Sequence, residues 1–242
     1  MKGVVLAGGL GTRLRPLTSI TNKHLLPVYD RPMIFYPLQT LADAGIRDVM
    51  VVTGGYSAGN FMQLLGDGSD FGFRCLNYAY QTGEGGIAEA IGLTRAFVGS
   101  QRFVVILGDN ILENSIKKYV ERFRKQKSGA RILYKKVDNP KDYGVADIHD
   151  GRVISIEEKP ENPKSSYAVI GVYMYDGRAF DIIDGLNPSE RGELEVTDLN
   201  NAYIKAGEMH ANEIDGWWSD CGASIDNLLE ANNRARQIAG SS

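Results

Sequence analysis

Only two of the 242 residues are cysteine, Cys75 and Cys221, and they lie far apart with no CxxC pair. That excludes a disulfide-stapled miniprotein and leaves a zinc or redox centre without sequence support. Positive charge is not in excess either, since 27 Lys and Arg face 30 Asp and Glu for a formal net charge of −3. A chain without a basic field does not bind nucleic acid non-specifically, so an anionic ligand must be gripped by a local cluster. No apolar run is long enough to span a membrane, and glycine and arginine interrupt the N-terminal apolar stretch by residue 13, which denies it a signal-peptide core. The expectation is a cytoplasmic protein with neither a membrane nor a nucleic-acid partner. Internal repeats, low-complexity segments and Pro- or Ser-rich linkers are also missing, so residues 1–242 read as a single domain with length enough to bury a core.

What is present is a βαβ rhythm. "KGVVLA", "MIFYPLQTLADAGI", "DVMVVTG" and "AGNFMQLLGDG" alternate short apolar runs with helix-patterned stretches, the mark of an α/β fold with a parallel sheet. "RFVVILGD", 102 to 109, is a nearly continuous apolar run ending in an acid, as expected of a central strand buried on both faces. "IKKYVERFRKQKSG" predicts a helix with Gly129 as its stop. After residue 130 the period changes to two. "ARILYKKV" and "GVADIHDGRVISIEEKP" predict strands, with a hairpin turning at Asp150-Gly151. Residues 193–207 and 224–239 predict amphipathic helices.

The stretch "LAGGLGTRLRPLT", 6 to 18, sets a glycine turn and two arginines directly after the first strand. A dinucleotide fingerprint requires GxGxxG, but the third position is Leu14. A P-loop requires a following Lys and hydroxyl, which are absent. What remains is G-G-x-G-T-R: glycines that let backbone N–H groups approach an anion, followed by Thr12 and the planar fork of Arg13. The alternative is a turn that needs glycine only for its dihedrals. Lys23 in "TNKHLLP" adds a cation close behind, ahead of Pro27, where a turn is favoured over a long helix.

Asp109, in "LGDN", stands at the carboxyl end of the central strand, where ligands of open α/β sheets bind. It could hold Mg²⁺ against phosphate oxygens or merely cap a turn. Asp220, in "WWSDCG", reads alone as a turn aspartate, although one or two carboxylates are all that magnesium commonly takes from a protein. In "IEEKP", Glu158 and Lys159 are either a solvated strand end or a carboxylate and an ammonium swung into a cleft by Pro160.

Taken in order, "LAGGLGTRLRPLT", "NKHLLP", "ILGDN", "YGVADI", "IEEKP", "PKSSYAVIGVYMYD", "RGELEVTD" and "WWSDCG" cover nearly the whole chain. Together they closely resemble the glucose-1-phosphate thymidylyltransferases of the sugar-nucleotide pyrophosphorylase superfamily. The resemblance implies a Rossmann-like mixed, mostly parallel sheet with flanking helices and an added antiparallel hairpin lobe, similar to the GT-A fold. Residues 1–129 would form mainly the nucleotide-binding half and 130–242 mainly the sugar-phosphate half. It implies the reaction of dTTP, or UTP, with glucose 1-phosphate to give a nucleotide sugar and pyrophosphate, with Mg²⁺ as cofactor. On matching positions it assigns Leu6, Gly8, Gly9, Gly11, Thr12, Arg13, Gln81, Gly86 and Asp109 to the nucleotide. Tyr143, Gly144, Glu158, Lys159 and Val169 go to the sugar phosphate, and Asp109 and Asp220 to the metal. Arg13, Lys23 and Lys159 would carry the catalytic charge stabilisation. Within the family pattern, Glu89 replaces a glutamine near the base pocket, Ile170 a threonine, and Cys221 a small hydroxyl residue. A homodimer or homotetramer serving rhamnose and surface-polysaccharide synthesis is implied in the same way.

Competing readings are a uridylyltransferase for glucose 1-phosphate or a guanylyltransferase for mannose 1-phosphate. A non-catalytic sensor would have shed a metal aspartate or a phosphate cation, and Leu14 argues against an NAD-dependent dehydrogenase.

Overall fold

A computed structural model describes residues 1–240. Along the chain run β1 (Lys2–Ala7), β2 (Pro27–Val28), β3 (Arg31–Pro32), α1 (Phe35–Asp43), β4 (Asp48–Gly54), α2 (Ala58–Leu65), β5 (Cys75–Gln81), α3 (Ile87–Gly92), α4 (Arg95–Val98) and β6 (Phe103–Leu107). They are followed by β7 (Asn110–Leu112), α5 (Lys117–Lys125), β8 (Ala130–Lys136), β9 (Gly144–His149), β10 (Arg152–Glu158), β11 (Tyr167–Tyr175), α6 (Ala179–Asp184), α7 (Val196–Lys205), β12 (Met209–Glu213), β13 (Trp218–Asp220) and α8 (Ile225–Ala239). The class is α/β, with a mixed, mostly parallel central sheet, flanking helices and antiparallel hairpins, as the alternating pattern predicts. Among the described residues no helix is long and apolar enough to cross a membrane.

Two compact units are interleaved in sequence. Gly3–Glu84, Ile106–Ile116 and the segment from Gly216 onward form the first; Met1–Lys2, Gly85–Val105 and Lys117–Asp215 form the second. In the first, β1 pairs in parallel with β4, and β4 with β5. Val4, Val5, Val49, Val51 and Val52 are buried, which is why these strands read as unbroken apolar runs. A Cβ on Gly3 would lie 2.9 Å from Leu41 Cδ1, so the glycine lets α1 close onto β1. A further cluster joins Leu14, Val28, Met33, Ile111, Cys221, Leu228 and Ala231. Each large aliphatic there stabilises by roughly 1.5–3 kcal/mol relative to exposure. Leu14, which interrupts the dinucleotide fingerprint, is therefore the peg that fixes the glycine turn to the core.

In the second unit β9 and β10 form the expected antiparallel hairpin, with Asp150 and Gly151 at φ 48° and 74° in its turn, the two left-handed positions a tight hairpin needs. β11 pairs antiparallel with β8 and meets β9 at Ala168 and Val145, while β12 adds in parallel to the other side of β8. The helix α5 ends at Lys125, short of the predicted stop at Gly129. Its end is set by Arg102, whose guanidinium donates to the carbonyls of Phe123, Arg124, Gln126 and Lys127, the orphan acceptors of a helix terminus. Gly129 instead makes room for a neighbouring segment. It sits at φ 94°, and a Cβ there would lie 2.2 Å from the Glu208 carbonyl oxygen, so the glycine admits the chain entering β12.

Candidate active site

In the first unit β1 delivers the chain, buried through Ala7, to a turn that depends on glycine twice over. Gly11 sits at φ 66°, and a Cβ there would lie 2.8 Å from Lys23 Cβ. A Cβ on Gly8 would lie 2.8 Å from the Gln81 side-chain oxygen. At Gly9 no atom comes closer than 3.6 Å to that position, leaving the backbone open. Dihedral demand and close approach are thus both real, and the turn stays narrow because side chains hold its carbonyls. Asn22 Nδ2 donates to the Ala7 and Gly9 carbonyls at 3.2 and 3.4 Å, and Thr18 Oγ1 donates to that of Gly11 at 2.7 Å. Thr12 and Arg13 follow in a 3-10 turn with exposed side chains.

Lys23 opens a second 3-10 turn, Lys23–Leu25, and its ammonium donates to Asp109 Oδ2. Asp109 arrives immediately after β6. Asp220 arrives from β13, whose antiparallel register sets Asp220 opposite Asn110. Around the pair the backbone is tied tightly: Cys221 N donates to the Asp109 carbonyl at 2.9 Å, and Gly222 N to Asp220 Oδ1 at 3.0 Å. Asn110 Nδ2 donates to Asp109 Oδ1 at 3.1 Å, and Asn110 Oδ1 accepts from Trp218 Nε1 at 2.7 Å. Asn227, in the first turn of α8, donates to the Asp220 carbonyl at 3.2 Å.

The electrostatics follow from this crowding. Burial opposes the charge on Asp109, but the Lys23 ammonium outweighs it and holds the carboxyl well below the ordinary range. Burial likewise opposes the charge on Lys23, yet Asp109 and Asp220 together keep its pKa above the usual lysine value. Asp220 is pushed up to about 7, first by burial and then by the Asp109 carboxylate, against the pull of Lys23 and Arg13. Two carboxylates thus share one ammonium, with unrelieved repulsion between them, and that is a donor set a divalent cation fits. His24, packed against Gly108 and hydrogen-bonded to Asn22 Oδ1 at 2.7 Å, is pushed down to about 3 by burial and by Lys23, so it is a neutral wedge.

Asn22, Thr18, His24, Asn110 and Gly222 are members that sequence reasoning missed. Asn22 and His24 flank the lysine in "TNKHLLP", and Gly222 closes "WWSDCG", yet nothing in local pattern distinguishes them from turn residues. Gly222 is the most restrictive: a Cβ there would lie 2.4 Å from Asp109 Oδ2 and 2.6 Å from Lys23 Nζ. Gly222→Ala is therefore expected to lower turnover at least ~10-fold while the melting temperature moves little, because only these two side-chain ends must yield. Steady-state kinetics beside a thermal melt checks this.

In the second unit the register that pairs Gly144 with Glu158 gathers the other set. Glu158 Oε2 accepts from Thr197 Oγ1 at 2.8 Å, and a Cβ on Gly144 would lie 3.3 Å from that same carboxylate oxygen. Lys159 adopts φ 43°, donates its backbone N–H to the Tyr143 carbonyl at 3.0 Å and leaves its side chain exposed. The two residues of "EEKP" thus part company: Glu158 is anchored to α7 and Lys159 projects from a left-handed turn. Val169 is buried on β11, one residue beyond the contact with β9. Gly86, at φ 94°, lies beneath the 193–194 backbone, with a Cβ position 2.5 Å from the Leu194 carbonyl oxygen. Thr197, buried on α7, is the member of this set that sequence reading passed over.

Comparison with known proteins converges on one family. A model of the nucleotidyl transferase family matches residues 2–238. The glucose-1-phosphate thymidylyltransferase of Xanthomonas campestris pv. campestris is 45% identical over 236 residues, covering 96% of this chain and 79% of that protein. Among solved structures, a Bacillus anthracis protein described as a glucose-1-phosphate thymidylyltransferase, in complex with a sucrose, superposes with a TM-score of 0.93 at 50% identity, over 98% of this chain and 95% of that one. A UDP-glucose pyrophosphorylase bound to UDP-glucose matches with a TM-score of 0.85 at 26% identity, over 98% of each chain. With residues 2–238 matched by the family model and relatives 45–50% identical over almost the entire length, the chain belongs to the nucleotidyl transferase family.

Proposed function

We propose that this protein is a glucose-1-phosphate thymidylyltransferase, converting dTTP and glucose 1-phosphate to dTDP-glucose and pyrophosphate. The observation that carries the reading is the cluster of buried Asp109 with half-buried Lys23 and Asp220, set beside a glycine turn that ends in Thr12 and Arg13. Relatives named for that activity, at about the same identity across most of their length, support the choice of substrates. The triphosphate lies along Leu6, Gly8, Gly9, Gly11, Thr12 and Arg13, with Gln81 at the edge of the base. The contact of Gly86 with the base belongs to the same proposal. Tyr143, Gly144, Glu158, Lys159 and Val169 receive the sugar phosphate, Glu158 being the acceptor for sugar hydroxyls and Lys159 the cation for phosphate.

Asp109 and Asp220 would hold Mg²⁺. When bound, the metal supplies charge neutralisation at the triphosphate oxygens and alignment of the α-phosphorus. The attacking atom is a sugar-phosphate oxygen, already anionic, so no general base is required and no covalent enzyme intermediate forms. Lys23 and Arg13 neutralise charge on the departing pyrophosphate, and Lys159 orients the nucleophile. Within this proposal the enzyme is cytoplasmic and a homodimer or homotetramer, serving rhamnose and surface-polysaccharide synthesis. Family resemblance supports those three statements.

Thymine differs from uracil by one methyl group, worth roughly 1–3 kcal/mol in an apolar pocket. The expected result with Mg²⁺, glucose 1-phosphate and each of dTTP, UTP, ATP, GTP and CTP is pyrophosphate release that is fastest with dTTP and slower with UTP. Release with UTP or GTP alone would keep the chemistry and overturn the substrate. No release at all, with a nucleotide sugar still bound, would make the protein a sensor.

A further inference from the structure

The second unit carries a cationic cluster that the proposed reaction leaves unused. Arg131, on β8, is only 8% exposed. Its Nη1 donates to Asn212 Oδ1 and its Nη2 to Gln126 Oε1 at 3.0 Å, while its buried Nε has no acceptor among the described residues. Both partners are neutral amides. A guanidinium offers five N–H donors and a permanent charge, and burying that charge without a carboxylate is costly. Natural chains usually answer a buried arginine with Asp or Glu. Here the neighbours add positive charge instead. The parallel register of β12 sets His210 directly beside Arg131, and Arg122, exposed on α5, lies close enough to oppose the Arg131 charge. His210 is itself driven below its usual pKa by burial and by Arg131. Lys118, Lys135 and Arg122 all act on Asp215, and Asp215 is already paired with Lys118.

We propose that Arg131, Arg122 and His210 form a second anion site, taking a phosphoryl oxyanion. The planar guanidinium fork and an imidazole N–H suit the oxygens of such a group, and Asn212 and Gln126 hold the fork in place. Because neither partner is charged, an arriving anion meets no resident carboxylate that it must displace. The site is separate in sequence and unit from Lys23 and the glycine turn.

The chain has three histidines, His24, His149 and His210, so imidazole proton resonances in the full-length protein report each region by itself. Inorganic phosphate and pyrophosphate, titrated separately at fixed pH and ionic strength, are expected to move the His210 signal along a saturating curve, while His149 stays still. His24, beside Lys23, reports binding at the glycine turn independently. The two titrations distinguish a monophosphate site from one for the reaction's released diphosphate. Arg122→Gln, a surface change, and Arg131→Gln are each expected to weaken the His210 response roughly 10-fold or more, the loss of one charge-assisted contact. Arg122→Gln decides the matter alone if Arg131→Gln does not fold. A His210 signal that fails to saturate with either anion, or one that saturates equally in Arg122→Gln, overturns the proposal.

Discussion

Asp109→Asn is expected to lower the turnover of dTTP and glucose 1-phosphate by about 100-fold or more, the scale on which one preorganised electrostatic contact at a reacting centre counts, here exerted through the metal that Asp109 would hold. The reason lies in how the carboxylate is held. Its Oδ2 receives the Lys23 ammonium, its Oδ1 the Asn110 amide, and its carbonyl the Cys221 N–H. Asparagine keeps the shape but presents an amide where an anion stood. Lys23 would then face Asp220 alone, and of the two causes that push Asp220 up, burial and the Asp109 carboxylate, only burial would remain. The substitution should therefore raise the Mg²⁺ concentration needed for half-maximal rate as well as reduce the maximal rate. Pyrophosphate release measured across a Mg²⁺ series, with circular dichroism on the same preparation, separates a lost metal ligand from a lost fold. Undiminished turnover at limiting Mg²⁺ would falsify the metal assignment of Asp109.

Gly86→Ala should destabilise the protein by roughly 2–4 kcal/mol, combining left-handed backbone strain with overpacking. At φ 94° the residue is already outside the range an alanine accepts without cost, and the added Cβ would lie 2.5 and 2.9 Å from the Leu194 carbonyl oxygen and nitrogen. Those are backbone atoms held in place: Leu194 N donates to the Gly85 carbonyl at 2.9 Å, and the Leu194 carbonyl accepts from Ala88 N at 3.1 Å. A side chain cannot swing aside there. Gly83→Ala is the control, since Gly83 has φ 77° but nothing within 4 Å of its Cβ position. Urea denaturation should show the smaller, strain-only loss at Gly83 and the larger at Gly86; equal losses would mean that the Leu194 overlap relaxes freely.

Much of this architecture was legible in the sequence, and the reason is periodicity. "KGVVLA" and "DVMVVTG" announce buried parallel strands, and Asp150-Gly151 announces a hairpin, because each depends on residues adjacent in the chain. The end of α5 was not legible. It is decided by Arg102, which lies twenty-one residues before Phe123, whose carbonyl it caps. Likewise Lys23, Asp109 and Asp220 could be singled out, while Asn22, Gly222 and Thr197 could not. Their work is to hold backbone carbonyls, to leave a gap, or to hold a carboxylate, and each is recognised only once its distant partner is in place.

The pairing of β7 with β13 has a kinetic side. It joins Asn110 to Asp220 by three residue pairs across more than a hundred intervening positions. Closing so long a loop costs chain entropy that six short-strand residues repay poorly on their own. The strands Lys2–Ala7 and Asp48–Gly54 can find each other much sooner. During refolding the glycine turn and Lys23 should therefore be shaped first, with the second carboxylate arriving among the last contacts. The contact of Lys23 with Asp109 spans 86 positions and closes a long loop as well, so both carboxylates of the site should join after the turn they face.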